Sequence, residues 1–274
     1  MTKYSFEFYP PKTTAQKEQL DRTLAKLKPY KPKFVSVTFG AGGSTLSYTP
    51  EIIQHLRQKH KLDAAPHVSC VGGTRDEILN LLKQYRDLGC TKLVALRGDL
   101  PSGMGRPGEL HYASDLVNLI REAHGKHFEI YVACYPEAHP QSRDALQDIR
   151  HFKTKMDAGA DAAITQYFFN VDAYFRFVEL ARKHGIQQQI IPGIMPISNF
   201  SQLCRFSDMC GAEIPRWLVK RMHAYGDDSD SIRAIGADLV ASICERLIAG
   251  GVPEIHFYTL NLSKPTLSVL ERLK

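Results

Sequence analysis

Ser5-Phe6-Glu7-Phe8-Tyr9-Pro10-Pro11-Lys12 sets a carboxylate inside an aromatic run at the start of the chain. In a strand, alternation sends Phe6 and Phe8 to one face and Ser5, Glu7 and Tyr9 to the other. Pro10 and Pro11 then end the strand, because neither can donate to a ladder. If the strand is internal to a parallel sheet, both of its faces are buried. A glutamate alone in such a place is costly to ionise, so it holds its proton. A carboxylic acid that stays protonated near neutral pH is a candidate proton donor. Paired with a lysine or arginine, or placed at a sheet edge, the same residue is only structural.

Working outward, strand and helix patterns alternate. Thr13-Thr14 is a helix cap, and Leu20, Leu24 and Leu27 share one face of the following helix. A β-rich run at 34–38 ends in Gly40-Ala41-Gly42-Gly43, and 49–60 has a helical pattern. A strand at 65–71 precedes a helix at 74–88 that opens with the capping box Thr74/Glu77. Further strands are predicted at 92–96, 129–134, 162–166, 189–194 and 254–259. Further helices are predicted at 113–124, 142–158, 171–184 and 263–273, with three extra ones near 199–209, 215–223 and 229–249. Eight strand-then-helix units in one chain of 274 residues predict a single-domain (β/α)8 TIM barrel, with extra helices between strands seven and eight. A doubly wound open sheet is the alternative. No repeat, linker or low-complexity tract divides residues 1–274.

Composition is that of an ordinary globular protein, 43% hydrophobic and 23% charged. The net charge of +6 is scattered, which suits small anionic ligands and argues against nucleic acid as a partner. There is no leader-like apolar segment and no run long enough to span a membrane, so a cytoplasmic protein with no membrane partner is expected. The six cysteines contain no C-x-x-C pair and read as reduced thiols.

Barrel enzymes work at the C-terminal ends of their strands. Those ends carry Glu7, Thr38, His67, Arg97-Gly98-Asp99, Tyr135, Gln166, Met195-Pro196 and Leu260-Asn261. Gly98 lets a ligand approach the backbone, Arg97 can clamp an anion, and Asp99 can accept from ring N–H groups. A structural Arg–Asp pair at the rim fits equally well. Gly103-Met104-Gly105-Arg106-Pro107-Gly108 matches a dinucleotide fingerprint in letters only, since it opens no helix and Pro107 suits a turn. Tyr135 and His139 could stack on or hydrogen-bond a cofactor. Asp148, His151 and Lys155 share one helix face, as do Gln202 and Phe206. Solvation of the first face and packing of the second are the ordinary causes of such patterns. Nothing has the spacing of a metal site, His55 and His60 included, and there is no nucleophile elbow.

Many ordered blocks together resemble methylenetetrahydrofolate reductases of the bacterial type. They are Ser5 through Lys12, Val35-Ser36-Val37-Thr38-Phe39-Gly40-Ala41, Ala64-Ala65-Pro66-His67, Ala95-Leu96-Arg97-Gly98-Asp99-Leu100-Pro101 and Tyr112-Ala113-Ser114-Asp115-Leu116. Tyr135-Pro136-Glu137, Ile164-Thr165-Gln166, Ile191-Pro192-Gly193-Ile194 and His256-Phe257-Tyr258-Thr259-Leu260-Asn261 complete them. The resemblance implies a flavoprotein barrel in which NADH or NADPH reduces FAD, and the flavin then reduces 5,10-methylenetetrahydrofolate to 5-methyltetrahydrofolate, in ping-pong order. It implies Glu7 as the acid that protonates the folate's N10, with a raised pKa when folate is bound. Asp99 would lie near the flavin and hold the pterin, Gln166 and Gln202 would contact folate, and Phe206 would stack on it or on the nicotinamide. Thr38 and Gln166 would also serve the nicotinamide. FAD contacts would fall to Phe39, Ala41, His67, Arg97, Gly98, Tyr112, Ala113, Tyr135, His139, Asp148, His151, Thr154 and Lys155. Leu262 stands where relatives often carry an arginine near the folate tail, and His151 where asparagine is common. Relatives are homo-oligomers, so one is expected here. No S-adenosylmethionine-binding regulatory domain is expected within 1–274.

Two other classes compete. A flavin-free barrel lyase or aldolase would want a Schiff-base lysine at a strand end, whereas Lys92 begins its strand. A non-catalytic flavin- or folate-binding protein would share the rim residues without turnover. Neither nicotinamide has its usual fingerprint in the sequence.

Overall fold

The opening stretch forms β1 (Lys3–Phe8), which pairs in parallel along both edges. The computed structural model describes residues 2–39, 48–70, 73–98, 108–226 and 228–273. Eight more strands follow among them: β2 (Val35–Val37), β3 (Ala64–Ser69), β4 (Lys92–Leu96), β5 (Glu129–Cys134), β6 (Ala162–Thr165), β7 (Gln189–Ile191), β8 (Gly193–Ile194) and β9 (Glu254–Tyr258). The helices are α1 (Thr14–Leu27), α2 (Tyr48–Gln58), α3 (Arg75–Asp87), α4 (Ala113–His124), α5 (Ala145–Asp157), α6 (Val171–Lys183), α7 (Phe200–Cys210), α8 (Arg216–His223), α9 (Ser229–Ala249) and α10 (Ser263–Leu270).

The strands run in the order β7-β6-β5-β4-β3-β2-β1-β9-β8. β7 and β8 are one stave interrupted at Pro192, which has no N–H to give. Its first half pairs with β6 and its second with β9. The two ends of the strand order therefore lie on the same stave, and the sheet closes into an eight-stave (β/α)8 barrel. An open doubly wound sheet is excluded by that closure. Helices α7, α8 and α9 fill the connection before β9, where extra helices were expected.

The period-2 reading of β1 holds. Phe6 and Phe8 face outward into the main core, against Leu20, Leu24 and Leu27 of α1. The barrel interior has its own smaller apolar cluster of Phe34, Ala65, Val94, Tyr131, Ala162, Ile164 and Ile191. Helix starts follow local chemistry. Thr13 accepts from the Gln16 N–H, and Thr74 and Glu77 form the capping box. α5 starts later than the pattern suggested because Asp144 caps it through the Gln147 N–H. All six cysteines are free thiols, and four of them are buried. No helix among the described residues is long and apolar enough to cross a membrane.

Two local features fix the barrel mouth. At Gly193 an added Cβ would lie 2.1 Å from the Thr165 carbonyl oxygen and 2.6 Å from the Tyr258 ring. Tyr258 donates its hydroxyl to that same carbonyl at 2.7 Å. Beyond β9, Leu260 and Asn261 both take positive φ (51° and 57°), a tight turn that asparagine tolerates well. The Asn261 amide clamps the backbone of Tyr9, accepting from its N–H and donating to its carbonyl at 2.9 Å each.

Two stability outcomes are expected. Gly193→Ala should destabilise the fold by about 3 kcal/mol, the upper end of core overpacking, read as a lower midpoint in urea denaturation. Asn261→Ala removes both clamp bonds and places alanine at positive φ, so a loss of about 2 kcal/mol is expected by the same measurement.

Candidate active site

Glu7 lies one position before the end of β1, with its side chain inside the barrel. Its register partners are Ser36 on β2 and Tyr258 on β9. Its backbone carbonyl accepts from the Thr259 hydroxyl at 2.6 Å. The carboxylate meets two imidazoles: His67 Nε2 is 3.3 Å from Oε2, and His256 Nε2 is 3.7 Å away. The glutamate side chain is 19% exposed, so a ligand in the mouth can touch it, whereas His256 is fully buried.

Burial alone would push the Glu7 carboxyl up, but His256 and His67 pull it down more strongly, to about 2. The expectation of a lone glutamate that keeps its proton is thus corrected: Glu7 is not alone, and in this arrangement it is ionised. Neither imidazole contact has hydrogen-bond geometry. Both Nε2 atoms and the Ser36 Oγ are buried without a hydrogen-bond partner. Three unpartnered polar atoms on β2, β3 and β9, around one carboxylate, are what a ligand-binding site leaves behind.

The rim over β4 and β5 forms a connected chain. Arg97 donates to the Gln141 side chain at 2.8 Å, the Gln141 N–H donates to His139 Nδ1 at 3.0 Å, and the His139 N–H donates to Asp148 at 3.3 Å. Tyr135 meets the His139 ring edge-on at 4.5 Å. Gly98 has φ +83°, a conformation that glycine adopts freely. The structure thus brings Arg97, Gly98, Tyr135, His139 and Asp148 to one side of the mouth. The shared helix face divides: His151 and Thr154 are exposed, while Lys155 turns inward and donates to the Ala133 carbonyl at 2.5 Å. Burial lowers the pKa of that ammonium. Tyr112 is 59% exposed and precedes Ala113 at the start of α4. Thr38 and Phe39 follow β2 and are half-buried. Ala41 and Asp99 lie outside the described residues, as do most of the two glycine-rich loops.

Next to this rim, Tyr167 ties α7 to the end of β6 through Ser207 at 2.9 Å and Cys210 at 3.3 Å. This sets Gln202 and Phe206 of α7 on the same side of the mouth as Gln166, whose amide oxygen accepts from the Tyr167 N–H. Leu262 is 40% exposed and begins the turn into α10.

Sequence reasoning gave no role to Gln141, Thr259 or Asn261, nor to Ser5, His256 and Glu254 inside the barrel. Period-2 alternation in β1 and β9 puts Ser5 on Glu7's face and lines up Glu254, His256 and Tyr258, so that signal was available. The structure also joins His55 and His60 to one Asp21 oxygen at 2.6 and 2.7 Å, with Lys59 on the other oxygen at 2.6 Å. Among the described residues this is the one cluster with metal-ligand types. The Lys59 ammonium already satisfies the carboxylate and opposes a cation.

A profile of the methylenetetrahydrofolate reductase family matches residues 1–274. The 5,10-methylenetetrahydrofolate reductase of Escherichia coli K12 is 42% identical over 269 residues, covering 98% of this chain and 90% of its own. Methylenetetrahydrofolate reductase (NADH) 1 of Arabidopsis thaliana is 36% identical over 99% of this chain, which spans 48% of that longer protein. The solved structure of a Clostridium thermocellum protein that binds two copies of 5-methyl-5,6,7,8-tetrahydrofolic acid superposes with a TM-score of 0.69. It covers all of this chain and 94% of its own at 15% identity, a likeness of fold. With a family match over every residue and relatives of this identity along nearly the whole chain, the protein belongs to the methylenetetrahydrofolate reductase family.

Proposed function

We propose that this chain reduces 5,10-methylenetetrahydrofolate to 5-methyltetrahydrofolate, with FAD as bound cofactor and NADH or NADPH as electron source, in ping-pong order. The observation that carries the reading is Glu7 at the mouth of the barrel, flanked by buried imidazole nitrogens without partners. Family membership supports the reaction class.

The residues present fit FAD. His67 offers a buried, unpartnered Nε2, and Gly98 leaves room beside the backbone. Arg97, Tyr135, His139 and Asp148 would hold the cofactor along the connected rim, with Thr38, Phe39, Ala41, Tyr112, Ala113, His151, Thr154 and Lys155 around it. When bound, FAD supplies the two-electron chemistry between nicotinamide and folate. The chain's own contribution is positioning and one proton. Gln166, Gln202, Phe206 and Leu262 bind the folate, Asp99 holds the pterin, and Thr38 and Gln166 also serve the nicotinamide. Glu7 delivers a proton to N10 of the folate, which opens the five-membered ring. Because Glu7 is ionised beside its two histidines, it must gain a proton before it can give one. The family resemblance implies a homo-oligomer of this chain.

Two outcomes test this reading. Purified protein should be yellow, or turn yellow with added FAD, as absorbance near the flavin band reads directly; a protein that stays colourless in excess FAD overturns the cofactor assignment. Glu7→Gln should still let nicotinamide bleach the flavin at close to the wild-type rate, but should lose at least ~100-fold in folate reduction, the usual weight of a general acid. Stopped-flow measurement of the two half-reactions separates them, and equal loss in both would remove Glu7 from its acid role.

A further inference from the structure

Behind Glu7 the barrel interior carries a line of buried polar side chains that the reaction above leaves without a task. His256 Nδ1 lies 2.9 Å from the Ser5 Oγ, and the Ser5 hydroxyl reaches Glu254 Oε1 at 3.4 Å. Ser5 and His256 are fully buried, and Glu254 is 2% exposed. The other Glu254 oxygen accepts from Lys33 at 3.2 Å and from Gln189 at 3.4 Å. Below these, Lys33 also reaches Tyr131 at 3.1 Å and Glu129 at 3.5 Å, at the N-terminal end of the barrel.

We propose that His256, oriented by Ser5 and Glu254, is the positioning residue that loads Glu7 with the proton it delivers to the substrate. The inference rests on the reading of Glu7 as the acid. Hydrogen-bond inventory sets its direction. Glu254 accepts only, so the single Ser5 proton goes to Glu254, and the Ser5 oxygen accepts from His256 Nδ1–H. That fixes a proton on Nδ1 and leaves Nε2 aimed at the Glu7 carboxylate, 3.7 Å away. A bare Nε2 lone pair facing an ionised carboxylate would be repelled, and both atoms would go unsatisfied. A proton on either atom removes that repulsion, and its transfer needs the 3.7 Å gap to close to hydrogen-bond distance.

The step balances without a further reagent. The proton leaves Nε2 and bonds to Glu7 Oε2, turning an imidazolium–carboxylate pair into an imidazole and a carboxylic acid. Glu7 then gives the proton to N10 of the folate and is a carboxylate again. Water at the mouth returns a proton to the pair after product leaves. The transfer neutralises both members, so an apolar ligand surface closing over Glu7 favours it. The groups facing His256 are consistent with this. Glu7 and Ser5 face it from β1 and His67 from β3, with Tyr258 and Glu254 on its own strand. Phe34 stacks on its ring at 6.0 Å, and Pro192 accepts from its backbone N–H. Burial and the charge on Glu7 push the Tyr258 phenol well above its usual range, so it remains a neutral donor.

The test uses the FAD-loaded chain in stopped flow, together with [15N]histidine NMR of the chain without folate. His256→Gln should slow folate reduction at least ~10-fold and leave flavin bleaching by nicotinamide within about two-fold. Ser5→Ala should show the same selectivity at about three-fold or more, and its NMR spectrum should lose the proton that wild type holds on His256 Nδ1. His67→Gln serves as comparison. Equal slowing of both half-reactions, no slowing, a selective loss in His67→Gln alone, or a wild-type His256 without a proton on Nδ1 would each overturn the relay. If His256→Gln does not fold, Ser5→Ala and the NMR spectrum decide. Wild-type protein unable to reduce folate overturns the functional reading and the relay together, whereas active wild type with unselective variants overturns the relay alone.

Discussion

Everything at the mouth depends on the pairing of β1 with β9. These strands come from opposite ends of the chain, and their register sets Ser5 beside His256 and Glu7 beside Tyr258. The pairing does two things at once. It closes the cylinder, because β9 also meets β8, and it brings an acidic side chain from the first strand against an imidazole from the last. A one-residue slip would turn Glu7 into the outer core and Phe8 into the mouth. The outward phenylalanines and the Asn261 clamp on Tyr9 hold the register against that slip.

Glu7 shows why a residue's chemistry is a property of its neighbours. Desolvation and charge act on it in opposite directions, and charge wins. The histidines make ionisation tolerable inside the barrel. An acid that must be loaded during the cycle differs from one that waits protonated, although both end by giving the same proton to the same atom.

Much of this was legible in the sequence and some was not. Alternation in the first strand, the Thr74 capping box and the eight strand-helix units fixed the architecture, because each depends on nearby residues. The break at Pro192 was readable only in part. A proline inside a strand warns of a lost hydrogen bond, but not that the stave uses the gap to turn from one neighbour to the next. Glu7's ionisation was illegible, since it depends on His67 and His256, 60 and 249 positions away on strands whose faces are known only once the barrel closes. The Asp21 cluster was missed for the same reason: its histidines lie on or just after α2 and their carboxylate on α1. The rim chain from Arg97 to Asp148 passes through Gln141, which carries no local signal of its role.

The barrel interior is divided lengthwise. Val94, Ala162, Ile164 and Ile191 of β4, β6 and β7 make one part apolar around Tyr131, whereas the inward residues of β1 and β9 form a wall of serine, histidine and glutamate, ending in Lys33. Buried ion pairs of this kind are commonly no better for stability than apolar side chains of the same volume. Selection for thermal robustness alone would drift this wall toward the composition of its neighbour, filling the interior with hydrocarbon. Under the proposed relay, the positions most tempting to repack when stabilising this fold by design are the ones the proton path needs.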